Sequence, residues 1–427
     1  MLDVDLVSRL LWSVDRGFDD QVEFTRELVK FPSVRGAEHT AQDFMARAMR
    51  ERGLAVDHWR VDVDDIKHLP GFSPVHVSYD NAFNVVGTHR AATAKGRSLI
   101  LNGHIDVVPV GPLDMWTTPP FDPRVDGNWL YGRGGGDMKA GLAACLYALD
   151  ALRRLGLQPA ANVNIQSVVE EECTGNGALA CLARGYRADA ALIPEPMWGG
   201  FLRAQVGVLW FQVKVRGVPV HVAYAGTGAN AIEAAFELMQ ALHGVEARWN
   251  ENRRQQPHFR DMEHPINLNV GRIEGGDWPS SVPAWCTFDV RVALYPGQNI
   301  EMAKSEIEAA IRTASRDNRF LANHPPEIVY HGFEAEGYVL TGGEVAEAAL
   351  GRAHALAFSG KALEGMASTA TTDARFFGLY ANIPALVYGP RAESIHGFDE
   401  RVDLESVRKI TQSMTLFIAD WCGVTPI

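Results

Sequence analysis

Histidine and acidic residues stand at several points in the chain where their side chains suit divalent metal ions. The set consists of His104, Asp106, Asp137, Glu171, Glu172, Glu195 and His396. Imidazole nitrogen and carboxylate oxygen bind zinc, manganese and cobalt, and the lack of cysteine in the set argues against a structural zinc knot. Two histidines and three or more carboxylates are enough for two ions if one carboxylate bridges them. The residue types therefore indicate a candidate two-metal site.

Two adjacent acids, Glu171 and Glu172, allow a division of labour. One carboxylate can bind metal while its neighbour takes a proton from a metal-bound water. Each signal is weak alone, because a His-x-Asp pair is usually a surface pair and a run of glutamates is usually a solvated helix start. The glycine-rich residues 132–136 before Asp137 lack the Gly-Lys-Ser/Thr ending of a P-loop and the glycine spacing of a dinucleotide fingerprint.

Short apolar runs typical of strands precede most of these residues. They cover residues 98–101, 162–169, 188–193 and 384–388. In an open α/β sheet the site lies outside the carboxyl ends of the strands, so residues far apart in sequence can meet there. Strand and helix patterns alternate, with a helix predicted over 138–155. We therefore predict an α/β catalytic domain with a mostly parallel central sheet flanked by helices.

The middle of the chain has a different pattern. Residues 206–215, 266–272 and 285–292 alternate apolar and polar side chains, as half-buried strands do, and 230–242 has helical spacing. We therefore predict a smaller inserted α+β domain at 204–333. The catalytic domain is then discontinuous, at 1–203 and 334–427.

Composition excludes several classes of protein. The chain has 427 residues, with 47% hydrophobic and 22% charged residues, which excludes disorder as its main state. A net charge of −12 argues against nucleic acid or an anionic membrane as partner. We see no membrane span and no signal peptide. Five cysteines without a Cys-x-x-Cys motif favour a reducing cytoplasm over a disulfide framework.

Eight strings in the chain resemble the M20 family of di-metal amidohydrolases and peptidases. This is the group of acetylornithine deacetylase, succinyl-diaminopimelate desuccinylase, aminoacylase and carboxypeptidase G. The strings are NGHIDVVPVG (102–111), WTTPPFDP (116–123), LYGRGGGDMKAG (130–141), VVEEECTGNG (168–177), IPEP (193–196), GVPVHV (217–222), FDVR (288–291) and SIHGFDERV (394–402). They follow the family's order over nearly the whole chain.

The resemblance implies a ligand set for two divalent ions, with zinc expected and cobalt or manganese as alternatives. His104 would bind one ion and Glu195 would complete that site. Glu172 and His396 would bind the other ion, and Asp137 would bridge the two.

The resemblance also implies roles around the metals. Glu171 would be the general base, and Asp106 would hold the ring of the neighbouring histidine. The inserted domain would be a lid through which the protein forms a homodimer. His221 would reach the partner's site and stabilise the oxyanion, and Arg291 and Asn230 would bind substrate. Without the family, His221 and Asn230 could instead cap local structure, and Arg291 could be an exposed strand residue.

The implied reaction is hydrolysis of the amide of an N-acyl amino acid or a similar carboxylate-bearing amide. A metallo-exopeptidase that cleaves dipeptides or terminal residues is the alternative, and a catalytically inactive metal-binding protein is the third reading. Three features depart from the family pattern. Residues 279–283 contain serines where many members have an asparagine, which puts a substrate contact there in doubt. The acid at position 170 is often aspartate in the family, and residues 57–81 are longer and more acidic than a minimal member needs.

Overall fold

The protein is described by a computed structural model that covers residues 2–92, 95–197 and 199–427. Its centre is a six-stranded sheet in the order Ala55–Arg60, Phe83–His89, Val163–Val168, Leu99–His104, Ala190–Ile193 and Ala385–Val387. The first two strand pairings are antiparallel and the remaining three are parallel. The predicted α/β fold with a mostly parallel central sheet is therefore confirmed.

Helices cover this sheet, and one of them is almost entirely buried. Twelve of the fourteen residues of Ala140–Arg153 are buried, as expected for a helix that is apolar all round. It begins later than the predicted position 138 because Asp137 and Met138 have non-helical backbone angles. The other helices of this part are Val4–Arg16, Phe18–Val29, His39–Glu51, Val63–Ile66, Asn176–Ala183, Glu344–Ala357 and Leu404–Trp421.

A second, antiparallel sheet has four strands and its own hydrophobic core. Its order is Leu268–Gly275, Trp285–Leu294, Gly207–Arg216 and Glu327–Ala335. Helices Ala231–Glu251 and Ile300–Asp317 cover it, with Phe211, Leu238, Phe288 and Ile307 in the core between them. We propose this unit as the lid domain predicted at 204–333, with its last strand continuing to Ala335.

Short strands complete the fold around the two larger sheets. Gly200–Gln205 pairs with Tyr338–Val339 and Glu364–Ser368, so this small sheet contains both connections to the inserted unit. The remaining strands are Arg124–Asp126, Trp129–Tyr131, Ala392–Glu393 and Arg401–Asp403 in one sheet, and Leu157–Pro159 and Val424–Pro426 in another.

Two features of the inserted unit were not predicted. The helix Ile300–Asp317 was missed, and the helix predicted to end at residue 242 continues to Glu251. Val245 and Trp249 extend its buried face, which outweighs the roughly 1 kcal/mol that a glycine such as Gly244 costs inside a helix.

The cysteines and the helices have two further features. All five cysteines are free, and four of them are buried. Within the described part of the chain, every helix is too short or too polar to cross a bilayer.

Candidate metal centre

Three neighbouring strands bring most of the candidate ligands to one edge of the central sheet. The strand Leu99–His104 lies between Val163–Val168 and Ala190–Ile193, parallel to both. His104 is its last residue, while Glu171, Glu172 and Glu195 follow the ends of the two neighbours. The shared strand direction therefore places these four side chains at one crevice.

Two loops supply the remaining candidate ligands. Asp137 follows the glycine-rich residues 132–136, and its main-chain N–H donates to Glu400 Oε1 at 3.1 Å. Glu400 is itself held by Arg133, whose Nη1 donates to Glu400 Oε2 at 2.6 Å. His396 has a φ of 61°, a left-handed conformation, in the loop between the strands Ala392–Glu393 and Arg401–Asp403.

His104 lies at the centre of the cluster. Its Nε2 is 3.0 Å from Asp137 Oδ1, 3.7 Å from Glu195 Oε1 and 3.9 Å from Glu171 Oε2. One ligand atom each from His104, Glu171 and Glu195 lies within 4.8 Å of the others. The same holds for His104, Asp137 and Glu172.

His396 extends the cluster on the side of Asp137 and Glu172. Its Nε2 is 3.1 Å from Glu172 Oε2 and 3.5 Å from Asp137 Oδ2. The two carboxylate oxygens of Asp137 thus face different histidines, Oδ1 towards His104 and Oδ2 towards His396. The structure therefore brings all five predicted metal ligands together, with Asp137 between the two histidines.

Burial and mutual repulsion make the cluster a favourable place for cations. Burial raises the pKa of Glu195 to about 8 and that of Glu171 well above its ordinary range. Burial alone would lower the pKa of His104, but the nearby Glu195 and Asp137 carboxylates raise it well above its usual value. If all four carboxylates ionise around the two imidazoles, they carry an excess of negative charge that divalent ions would compensate. The donor set thus fits zinc, cobalt or manganese.

Asp106 contacts the cluster through both its main-chain oxygen and its carboxylate. The Nδ1 of His104 is 2.8 Å from the main-chain oxygen of Asp106 and 3.7 Å from its carboxylate. The carboxylate instead accepts the main-chain N–H groups of Glu171, at 3.3 Å, and Glu172, at 3.0 Å. Asp106 thus contacts the ring of His104 through its main-chain oxygen, while its carboxylate holds the main chain of Glu171 and Glu172. Its role in holding the ring remains a prediction.

The buried pair of Arg133 and Glu400 was missed in the sequence analysis. The side chains are 2% and 1% exposed, and Glu400 also accepts the N–H of Gly136 at 3.0 Å. Both residues stand inside strings that resemble the family, LYGRGGGDMKAG and SIHGFDERV. The two partners are 267 residues apart, however, and neither string indicates that its charged residue pairs with the other.

A cavity of about 460 Å³ lies between this cluster and the sheet of the inserted unit. From the catalytic side it is lined by Glu171, Glu172 and His396. The inserted unit contributes aromatic and polar side chains, namely Trp210, Phe211, Asn269, Asp289, Arg291, His331 and Phe333. The candidate metal centre is therefore open to a small molecule held between the two parts of the chain.

Arg291 is a cation in the cavity wall without an acidic partner. Its Nη1 donates to the main-chain oxygen of Asn267 at 3.3 Å, and its Nη2 donates to that of Thr369 at 2.9 Å. Within the described residues, no carboxylate lies at ion-pair distance from it. Burial lowers the pKa of the guanidinium, which remains far above neutrality.

The structure does not bring His221 and Asn230 to the cluster of their own chain. His221 is exposed, and its Nδ1 accepts the N–H of Ala223 at 3.1 Å. Asn230 caps the helix Ala231–Glu251 by accepting the N–H groups of Ile232 and Glu233. Neither residue lines the cavity described above. Their predicted contacts with substrate remain predictions.

The arrangement defines a class of protein before any comparison. Carboxylates and histidines meet at the carboxyl edge of a parallel sheet, facing a cavity beneath an inserted domain, as a metal-dependent hydrolase requires. Residues 100–420 match the family model described as "Peptidase family M20/M25/M40". The chain belongs to this family, and the predicted membership is confirmed.

Curated relatives and solved structures agree with this membership. The chain is 29% identical to N-formyl-4-amino-5-aminomethyl-2-methylpyrimidine deformylase of Halalkalibacterium halodurans, over 99% of both chains. It is 28% identical to succinyl-diaminopimelate desuccinylase of Stenotrophomonas maltophilia, over 92% of this chain and 97% of that one. The structure of human carnosine dipeptidase 1 is similar in fold, with a TM-score of 0.78 and 16% identity over 97% of this chain and 99% of that one.

These relatives support the reaction class expected from the sequence. A deformylase and a desuccinylase both hydrolyse an amide C–N bond, and their similarity covers nearly the whole chain. The expectation of a hydrolase that acts on linear amides is therefore confirmed.

Proposed function

We propose that this protein removes the acyl group from an N-acyl amine, releasing a carboxylic acid and a primary amine. The observation that carries the proposal is a single cluster formed by His104, Asp137, Glu172, Glu195 and His396. Glu172 and His396 connect this cluster to the cavity, which Glu171 also lines. The deformylase and desuccinylase relatives perform reactions of this kind. The leading substrate class is an N-acyl amino acid or a similar carboxylate-bearing amide.

Two divalent ions, with zinc first and cobalt or manganese as alternatives, are the proposed cofactors. His104 and Glu195 would hold one ion, Glu172 and His396 the other, and Asp137 would contact both. When bound, such ions polarise the amide carbonyl and lower the pKa of water towards neutrality.

Glu171 is the proposed general base. Its carboxylate forms no hydrogen bond with any described residue, whereas that of Glu172 is engaged by His396 at 3.1 Å. The main-chain N–H of Glu171 is fixed by Asp106, and its side chain faces the cavity. Glu171 therefore accepts a proton from the attacking water and then delivers it to the leaving nitrogen.

Arg291 is proposed to bind the carboxylate of the substrate. A buried guanidinium without an acidic partner favours a ligand that supplies the missing negative charge. A substrate anchored at this point would extend across the cavity towards Glu171, since both residues line it. Arg291 thus sets the orientation in which the amide is presented.

A second substrate class is favoured by the aromatic wall of the cavity. Trp210 and Phe333 pack edge to face there, with ring centroids 5.2 Å apart. Asp289 lies beside them, and its Oδ1 accepts a hydrogen bond from Gln212 Nε2 at 2.8 Å. The same oxygen is 3.3 Å from His331 Nε2. The other carboxylate oxygen, Oδ2, has no hydrogen-bond partner among the described residues. Flat apolar walls and a free carboxylate oxygen suit a heteroaromatic amine with N–H donors. An N-formylated aminomethylpyrimidine, as named for the relative, has both features.

A homodimer formed through the inserted domain is the proposed assembly. His221 is exposed and remote from the cavity lining of its own chain, so it is available to a neighbouring copy. In that copy it would donate a hydrogen bond to the oxyanion that develops during hydrolysis. Asn230 would contact substrate only in such a dimer, since it does not line the cavity of its own chain. The proposed compartment is the cytoplasm, consistent with five unpaired cysteines.

A substrate panel on metal-reconstituted protein tests the function. Chelated protein is supplied with zinc, cobalt or manganese and assayed for release of primary amine. The substrates are N-formyl, N-acetyl and N-succinyl amino acids, their methyl esters, an N-formyl aminomethylpyrimidine and dipeptides. We expect turnover of acyl amines only after metal is restored. Turnover of free carboxylates but not of their methyl esters supports Arg291 as anchor. Turnover of dipeptides alone would support the exopeptidase alternative, and a metal-loaded protein inert towards all substrates would contradict the proposal.

A further inference from the structure

Part of the long segment 57–81 forms a buried polar contact with the loop that carries Glu171. Asn176 Oδ1 accepts the N–H of Ser73 at 3.1 Å, and Asn176 Nδ2 donates to the main-chain oxygen of Ser73 at 3.0 Å. The same Nδ2 is 3.1 Å from the hydroxyl of Tyr79. Ser73 and Asn176 are both fully buried, so water does not compete for these bonds.

Ser73 also joins this loop to the inserted unit through a single hydroxyl group. Its Oγ donates to the main-chain oxygen of Thr174 at 3.0 Å and accepts the N–H of Glu334 at 3.1 Å. Glu334 belongs to the strand Glu327–Ala335, the last strand of the inserted sheet. The next residue of the segment, Pro74, accepts the N–H of Gly332 from the same strand at 3.0 Å. The segment therefore contacts both sides of the substrate cavity.

The carboxylate of Glu170 is fixed from the same direction. Tyr79 donates its hydroxyl to Glu170 Oε2 at 2.6 Å. Arg35 donates to both oxygens, at 2.5 and 2.6 Å, and Thr174 Oγ1 donates to Oε2 at 3.0 Å. Glu170 is 2% exposed, so a charged side chain there is stable only while these partners are present.

Glu170 determines the course of the chain into the proposed base. Its φ of 68° is a left-handed conformation that non-glycine residues seldom adopt. Its main-chain oxygen accepts the N–H groups of Cys173, Thr174 and Gly175, at 3.3, 2.9 and 2.7 Å. Glu171 is the next residue, and its own carboxylate has no hydrogen-bond partner among the described residues. Its position therefore depends on the backbone that Glu170 holds.

We propose that Ser73 and Tyr79 are positioning residues that hold the Glu171 loop, through Glu170, in register with the last strand of the inserted domain. The glutamate at 170 reaches Tyr79 and Arg35, and the segment 73–79 supplies the tyrosine. The inference rests on the proposed role of Glu171 as base. It assigns to part of the 57–81 segment a role in ordering that base.

Two substitutions remove the hydrogen bonds and keep the packing. Tyr79→Phe deletes the hydroxyl that contacts Glu170, and Ser73→Ala deletes the link to Glu334. Each has a matched control outside residues 73–79 and 170–176. Tyr186→Phe removes a tyrosine–carboxylate bond to Asp57, 2.9 Å long, and Ser13→Ala removes a buried hydroxyl that donates to Ala151 at 2.8 Å.

The expected result combines kinetics, metal content and hydrogen–deuterium exchange. Tyr79→Phe should lower kcat about tenfold or more, since it loses a hydrogen bond to a charged group. Ser73→Ala should lower kcat about two- to tenfold, since its hydroxyl bonds neutral main-chain groups. In both variants we expect KM to change less than about twofold. Metal content stays at the wild-type value, and the amides of residues 171–176 exchange faster. The controls lose thermal stability at most, with kcat and exchange at 171–176 unchanged.

Three results would overturn the inference, and two of them need no substrate. Unchanged exchange at 171–176 in Tyr79→Phe and Ser73→Ala would show that neither hydroxyl orders the loop. A kcat equal to that of the controls would show that the order does not serve the base. Loss of metal in the two test variants would show that the fall in kcat arises from a displaced Glu172, the proposed metal ligand, and not from Glu171. If wild-type protein hydrolysed no amide, the proposed function would fail, while exchange and metal content would still decide whether these residues position the loop.

Discussion

Replacement of Glu400 by glutamine probes how Asp137, the proposed bridging ligand, is held. In the native protein Glu400 pairs with Arg133 at 2.6 Å and accepts the main-chain N–H of Asp137 at 3.1 Å. Glu400→Gln keeps the shape and an oxygen for that N–H but removes the charge. The guanidinium of Arg133, 2% exposed, is then left without its counter-ion.

Two separate magnitudes follow from this geometry. Breaking a buried ion pair on one side destabilises a protein by about 3–5 kcal/mol, because the remaining charge stays buried. A group that orients a metal ligand through a hydrogen bond typically contributes about 10–100-fold to metal affinity. We therefore expect Glu400→Gln to lower the free energy of unfolding by about 3–5 kcal/mol. We also expect it to weaken metal binding about 10–100-fold through Asp137.

The assay pairs urea unfolding of the metal-free protein with competition between protein and chelator for metal. Glu347→Gln is the matched control, because Glu347 forms a bidentate pair with Arg203, which is 33% exposed and lies outside the metal cluster. This pair should contribute about 1 kcal/mol or less, with no change in metal affinity. If the two variants behaved alike in both measurements, the reasoning about Glu400 would be refuted.

Three further predictions concern substrate and assembly. Arg291→Met should raise KM for carboxylate-bearing amides about tenfold or more, leaving their methyl esters unaffected; equal loss for both would contradict the anchor. Asp289→Asn should raise KM for N-formyl aminomethylpyrimidine by about the same factor and leave KM for N-acyl amino acids unchanged. An equal effect on both substrates would remove the argument for the second substrate class. Mixing inactive His221→Ala and Glu171→Ala proteins should restore up to about a quarter of native activity through mixed dimers, whereas no recovery after subunit exchange would count against a shared site.

The strand ends were predictable because their signal is local. Apolar runs that end in His104, Glu171, Glu172 and Glu195 place ligands at one edge of a parallel sheet. What sequence could not supply was the partner of each polar atom. The carboxylate of Asp106 turns to two amides 65 and 66 residues away, and that choice depends on tertiary geometry.

The same limit explains the remaining differences. Arg133 and Glu400 pair across 267 residues, and Tyr79 meets Glu170 across 91, so neither contact leaves a periodic signal. The missed helix Ile300–Asp317 is amphipathic, with a buried face that includes Ala303, Ile307 and Ile311. Its helical spacing is present in the sequence, but it lies between segments with the alternating pattern of strands.

The central claim is that five side chains hold two ions while Glu171 stays free to move protons. Metal titration of wild-type protein and of Glu171→Gln, followed by elemental analysis and turnover, tests it most directly. The account predicts two ions per chain in both proteins, with kcat lowered about 10²–10⁴-fold in the variant. One ion or none in the wild type, or near-native turnover of metal-loaded Glu171→Gln, would contradict it.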